Sequence, residues 1–209
     1  MSTGQVWYAS YGSNLCSERL NCYLAGGRPE GGRRTYPGAR DTTPPADSVA
    51  LTLPGRIYFA QQSATWGGGM AFYDHRRPGP TPARAYLVTV EQFADIAMQE
   101  MDREPTPLSA VEKAVLDPSV LAADDAFHQC GVGLYSRLLR VGTRDGSPIL
   151  TFTAPHDIDE VPHVAPTPPY LAMIGAGLTE SHAWGPAAIA DYLDACQPAK
   201  MSEMTARKR

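Results

Sequence analysis

The sequence predicts an α+β fold: a mixed or antiparallel sheet closing into a small β-barrel, with flanking helices. Three observations carry this prediction. Strand-type runs dominate the first two-thirds of the 209 residues. The apolar period changes from two to 3.6 at Thr89, which inserts one helix among the strands. Two further helical segments are appended after Pro169.

The first strand is the apolar run Val6-Trp7-Tyr8-Ala9, which leads through Tyr11-Gly12-Ser13-Asn14-Leu15 into a short helix around Ser17-Glu18-Arg19-Leu20. A Gly/Arg/Pro-rich stretch, 26–45, reads as a long irregular cover. Residues 49–60 read as two short strands about the Pro54-Gly55 turn. Trp66-Gly67-Gly68-Gly69 is a glycine-rich entry into the strand that follows, and such glycines imply close approach of the backbone to a neighbouring segment or a ligand. Ala83 to Val90 is a strand. After it Val90, Phe93, Ile96, Ala97, Glu100 and Met101 share one helical face. A shorter helix is predicted near Ser109 to Leu116, then a hairpin turning at Asp145-Gly146. Ala165 to Pro169 is a stiff connector. The helices Tyr170 to Glu180 and Pro186 to Cys196 complete a single domain over 1–199, followed by a polar tail at 200–209.

Composition narrows the function. Eighteen basic against 22 acidic side chains give a net charge of -4, so nothing supports nucleic-acid binding. No apolar run reaches the roughly 18 residues of a membrane span, and the N-terminus lacks a signal-type segment. Four cysteines at irregular spacing suit neither a disulfide scaffold nor a zinc site, and a reduced, cytoplasmic protein is expected.

Two local features point to chemistry. A strand ending in Gly-Ser-Asn before a helix gathers backbone N–H groups at one point, where an anion can sit; an ordinary strand–turn–helix corner has the same pattern. Gly12 there allows a backbone angle that other residues resist, and Ser13 or Asn14 can cap the helix or touch a ligand. Tyr11, taken alone, reads as a packing residue with a satisfied hydroxyl. The second feature is Glu100, a carboxylate on an apolar helix stripe, and such local conflicts concentrate at functional sites. Asp102 and Glu104 are its nearby rivals. Cys16, at a helix start, is a weaker candidate nucleophile. His156 and His163 flank an acidic stretch whose spacing fits a solvated loop better than a metal site.

Taken in order, these pieces resemble the γ-glutamylcyclotransferase family. Tyr8-Ala9-Ser10-Tyr11-Gly12-Ser13-Asn14-Leu15, with Glu18-Arg19-Leu20 after it, is similar to that family's Tyr-Gly-Ser-Asn-Leu motif and following helix. Trp66-Gly67-Gly68-Gly69, the strand and helix reaching Glu100, Tyr135, and Pro168-Pro169-Tyr170 resemble its later segments. Two departures stand out: Ile96-Ala97-Met98-Gln99 replaces the Leu-Asp often found before the family's glutamate, and the stretch from Glu100 to Tyr135 is longer.

The resemblance implies a γ-glutamylcyclotransferase-like fold. It also implies an intramolecular reaction, in which a γ-glutamyl α-amine attacks its own γ-carbonyl to give 5-oxoproline and a free amine or amino acid. Glu100 is then the catalytic base and acid. Tyr11, Gly12, Ser13, Asn14 and Leu15 hold the substrate, with Tyr135 and Tyr170 lining the pocket. No metal or other cofactor is expected. The partner is a small γ-glutamyl compound, and the chain is a monomer or homodimer. An amide hydrolase or deacylase on the same fold, and a non-catalytic binding protein, remain open at this point.

Overall fold

The computed structural model describes residues 4–197, so the 200–209 tail lies outside the described residues. The first strand, β1 (Gln5–Ser10), runs into a 3-10 turn (Ser13–Leu15) and then α1 (Ser17–Leu24). β2 (Asp47–Pro54), β3 (Arg56–Ala60), β4 (Met70–Asp74) and β5 (Pro80–Thr89) follow, then α2 (Val90–Glu100) and α3 (Ala110–Leu116). The chain continues through β6 (Phe127–Gln129), β7 (Arg137–Arg144) and β8 (Ser147–Thr153) to α4 (Pro168–His182) and α5 (Pro186–Cys196).

Six strands form one mixed sheet in the order β2-β5-β1-β8-β7-β6. All pairings are antiparallel except β1 with β8, where Trp7 faces Ile149 and Tyr8 faces Leu150. β1 lies inside the sheet and is buried on both faces, which explains its unbroken apolar run. The barrel expectation is not met. β2 and β6 are free edges at opposite ends of an open sheet.

The two strands expected about Pro54-Gly55 are present, but they do not pair with each other. β2 pairs along its whole length with β5, whereas β3 leaves to form a separate two-stranded ribbon with β4. Thr153 ties ribbon to sheet, accepting from the Tyr73 N–H and donating to the Tyr73 carbonyl, both at 2.9 Å. The close approach implied by Gly68-Gly69 is to chain, not ligand: Gly69 N–H donates to the Ala165 carbonyl at 2.9 Å, and a Cβ on Gly69 would collide with the Val164 backbone.

Helix ends follow local chemistry. Thr89 and Gln92 form a reciprocal capping box at 3.0 Å each way, which fixes where α2 starts. α4 begins two residues before the expected Tyr170, because Pro168 and Pro169 fit a first helical turn that needs no N–H partners. One core layer packs α1, α2 and α3 on one face of the sheet, and a second packs α4 and α5 on the other. Alternate residues of each central strand serve the two layers: Val6 and Tyr8 one, Ala9 and Tyr11 the other. No helix among the described residues is long and apolar enough to cross a membrane.

Candidate active site

Where β1 runs into the 3-10 turn, a cavity of about 200 Å³ opens. Tyr11, Gly12, Ser13, Asn14, Glu100, Tyr135 and Tyr170 all line it, so residues separated by up to 159 positions meet around one small space. Such a volume suits a small polar group rather than a large ligand.

Glu100 is the last residue of α2, and its Oε1 accepts from Asn14 Nδ2 at 3.0 Å. The same Asn14 nitrogen donates to the Tyr8 hydroxyl at 3.0 Å, which fixes the amide's orientation. Burial pushes the Glu100 carboxyl above its ordinary pKa, and its place at the negative end of a helix acts in the same direction. The Arg19 charge and hydrogen bonds from Tyr23 and Asn14 oppose that rise without cancelling it. Of the rivals, Asp102 stands at the cavity mouth, largely exposed and paired with Arg34 at 2.6 Å. Glu104 is exposed and away from the cavity.

The turn is built differently from the sequence expectation in three respects. Gly12 has φ −114°, outside the left-handed region, and a Cβ there would make only ordinary contact, 3.4 Å from the Tyr170 hydroxyl. Neither Ser13 nor Asn14 caps the helical turn with its side chain. Leu15 does not line the cavity. Its side chain is fully buried in the second core layer and its carbonyl accepts from Tyr86 and Arg84. The Leu15 N–H donates to the Gly12 carbonyl at 3.0 Å, so the N–H groups of Gly12, Ser13 and Asn14 precede the first bonded position of the turn.

Three tyrosines complete the wall. The Tyr11 hydroxyl donates to the Phe152 carbonyl at 2.8 Å and is thereby occupied. Tyr135, held at φ 58°, donates to the Ala71 carbonyl at 2.8 Å. Tyr170 accepts from the Ala71 N–H at 3.1 Å, which leaves its own hydrogen available.

Two other candidates change. Burial raises the Cys16 thiol pKa, the opposite of activation. In the His156–His163 stretch Asp157 pairs with Arg76 and Arg137 and Asp159 with Arg77, while Glu160 accepts from the Asp157 N–H.

Arg19 is the principal residue the sequence reading did not assign. It is only 2% exposed, lines the cavity, and stacks over the Tyr23 and Tyr36 rings at 4.1 and 4.4 Å. The detectable signal was the one that marked Glu100, a charge among the apolar positions Cys16, Leu20, Tyr23 and Leu24. Among the described residues, nine buried side-chain polar atoms lack a partner, and four belong to cavity residues: Asn14 Oδ1, Arg19 Nε and Nη1, and Gln99 Oε1. Buried polar atoms normally find partners, so this concentration marks the cavity as a polar binding place.

The fold, an open mixed sheet with helices on both faces, recurs in a solved structure. The human uncharacterized protein loc79017 shares it, with 15% identity, a TM-score of 0.50, and coverage of 97% of this chain and 94% of that one. At that identity the likeness shows the fold alone. A solved γ-glutamyl cyclotransferase aligns with 14% identity over 98% of this chain and 95% of its own, at a TM-score of 0.48. In sequence, histone deacetylase 5 of Arabidopsis thaliana is 31% identical over 191 residues, or 84% of this chain. The chain spans only 28% of that relative's length. No family model matches the chain.

Proposed function

We propose that this protein is a γ-glutamylcyclotransferase acting on a small γ-glutamyl compound without a metal or other cofactor. The α-amine of the glutamyl group forms a bond to its own γ-carbonyl carbon, and the bond to the departing amine breaks. Glu100 takes a proton from the α-ammonium and returns one to the leaving nitrogen. The products are 5-oxoproline and a free amine or amino acid. The amides of Gly12, Ser13 and Asn14, with the Ser13 hydroxyl, hold the glutamyl group in a folded pose. Orientation of this kind supplies much of an intramolecular rate. The spare Tyr170 hydrogen faces the oxyanion that develops on the γ-carbonyl.

One observation carries this reading: the Glu100 carboxyl, with its elevated pKa, shares a small cavity with the Gly12–Asn14 turn and is fixed by Asn14 at 3.0 Å. A base poised above the usual carboxylate range accepts and returns a proton more readily near neutrality. The test is a panel of γ-glutamyl amino acids and amines, scoring 5-oxoproline. Turnover on at least one is expected, and Glu100→Gln is expected to lower kcat by about 10²–10⁴-fold. Unchanged activity in that variant discards the assigned role.

A second reading takes water as the attacking group, which makes the protein an amide hydrolase or deacylase. It draws on the name of the Arabidopsis relative, of which this chain spans a minor part. Free glutamate or another acid in place of 5-oxoproline favours it. Thermal stabilisation by ligand without turnover favours a binding protein.

A further inference from the structure

We propose that Arg19 and Tyr23 form a positioning pair that aims one hydrogen bond at Glu100 and holds it as the carboxylate. The inference rests on Glu100 acting as the base. Both residues belong to α1, one helical turn apart, so their side chains meet on one face. Arg19 Nη2 donates to the Tyr23 hydroxyl at 2.5 Å. A guanidinium carries donors and no acceptor, so the phenol oxygen must be the acceptor of that bond. Its own hydrogen is thereby directed elsewhere, and the acceptor assigned to it is Glu100, which lines the same cavity as Arg19 and Tyr23.

The geometry leaves the pair little freedom. Arg19 is 2% and Tyr23 1% exposed, and the guanidinium lies against the rings of Tyr23 and Tyr36. On the other side Asn14 Nδ2 supplies a second donor to Glu100. A carboxylate held by two donors can receive a proton from substrate in a defined direction. A protonated acid in the same place would need an acceptor, and a phenol already bonded to arginine is a poor one.

Other ionisable groups also bear on Glu100, and the test has to separate them. Tyr8 faces it from β1, Arg34 and Tyr36 from the 26–45 cover, Asp102 from beyond α2, Tyr135 from the segment before β7, and Tyr170 from α4. Arg34 is partly exposed and already paired with Asp102, so its field is partly neutralised and screened.

The experiment uses Tyr23→Phe, which keeps the ring, and Arg19→Met, which keeps the bulk, since replacing a buried charge by an apolar side chain commonly preserves the fold. The Glu100 carboxyl is titrated by carbon NMR, its signal assigned by loss in Glu100→Gln. In both variants the midpoint is expected to move to higher pH. The ascending limb of the pH–rate profile should move with it. At about pH 6, kcat is expected to fall about ten- to a hundred-fold, the worth of a hydrogen bond to a charged group, with KM little changed. Arg34→Met serves as control and should move the midpoint less. A midpoint in Tyr23→Phe identical to that of the unaltered protein overturns the pair, even if turnover is intact. If no γ-glutamyl substrate turns over, the enzyme reading fails, while the titration still decides whether the pair acts on Glu100.

Discussion

Glu100 carries a charge that its surroundings disfavour, and that has a consequence for stability as well as chemistry. Its folded-state pKa lies above the ordinary value, chiefly through burial. A carboxyl of this kind favours the fold while protonated, below its unfolded pKa. That contribution is lost as pH rises through the folded value, so the ionised side chain weighs against folding at neutral pH. Glutamine has the same shape and never ionises. Glu100→Gln is therefore expected to raise the melting temperature at about pH 8, by about 2–4 °C for each kcal/mol recovered, and to leave it nearly unchanged at about pH 4. A thermal scan across pH checks this; a gap independent of pH would trace to packing instead. Glu100 was legible because a carboxylate on an apolar stripe breaks a local pattern. The role of Asn14 was not, since its partner lies 86 positions away and nothing local distinguishes a capping asparagine from one that holds a carboxylate. Gly12 misled for a related reason: sequence reveals that a side chain is missing, not whether backbone angle or space requires it.

At the scale of elements, the site depends on how α2 and the 3-10 turn are anchored. Arg40, in the 26–45 cover, reaches Asp95 of α2 through its backbone N–H at 2.8 Å and its guanidinium at 2.9–3.0 Å, and reaches Glu112 of α3 at 2.8 Å. Asp95 is fully buried, so removing its cation leaves an uncompensated charge. Arg40→Ala is expected to cost about 3–5 kcal/mol, read as a lower denaturant midpoint with little change in slope. A loss below about 1 kcal/mol, the worth of an exposed pair, would show that the contact is incidental. The turn is anchored from the opposite side. Gly177 of α4 abuts the Leu15–Cys16 backbone so closely that a Cβ has no room. Alternating and helical periods made most elements readable, because those patterns are local. β6 escaped because three residues are too few to show a period, and its pairing with β7 is what makes it a strand. The cover was readable as irregular from its glycines and prolines, but its anchor was not, because an arginine in a loop looks the same whether solvated or bound to a buried aspartate.

For the whole molecule, the decisive property is the one the sequence could not contain. Whether a set of strands closes depends on which edges meet, and the same alternation serves an open sheet or a barrel. β1, β5 and β8 lie inside the sheet and feed both core layers: Tyr8, Tyr86 and Phe152 face α1 and α2, while Ala9 and Ala83 face the layer of α4 and α5. Neither layer can be stripped off without exposing the far face of strands that the other layer needs. Loss of one is therefore expected to take the other with it, the behaviour of the single domain that the sequence predicts over 1–199. Trp7 in β1, Trp66 beside Tyr170 and Trp184 between α4 and α5 report on separate parts of the structure. Their combined fluorescence and the far-ultraviolet circular dichroism should follow one denaturant transition with a common midpoint. Separated midpoints would mean that the α4–α5 layer melts first. The Gly12–Asn14 turn, which α4 braces through Gly177, would then lose its shape before the sheet does, and ligand binding would disappear at the earlier step.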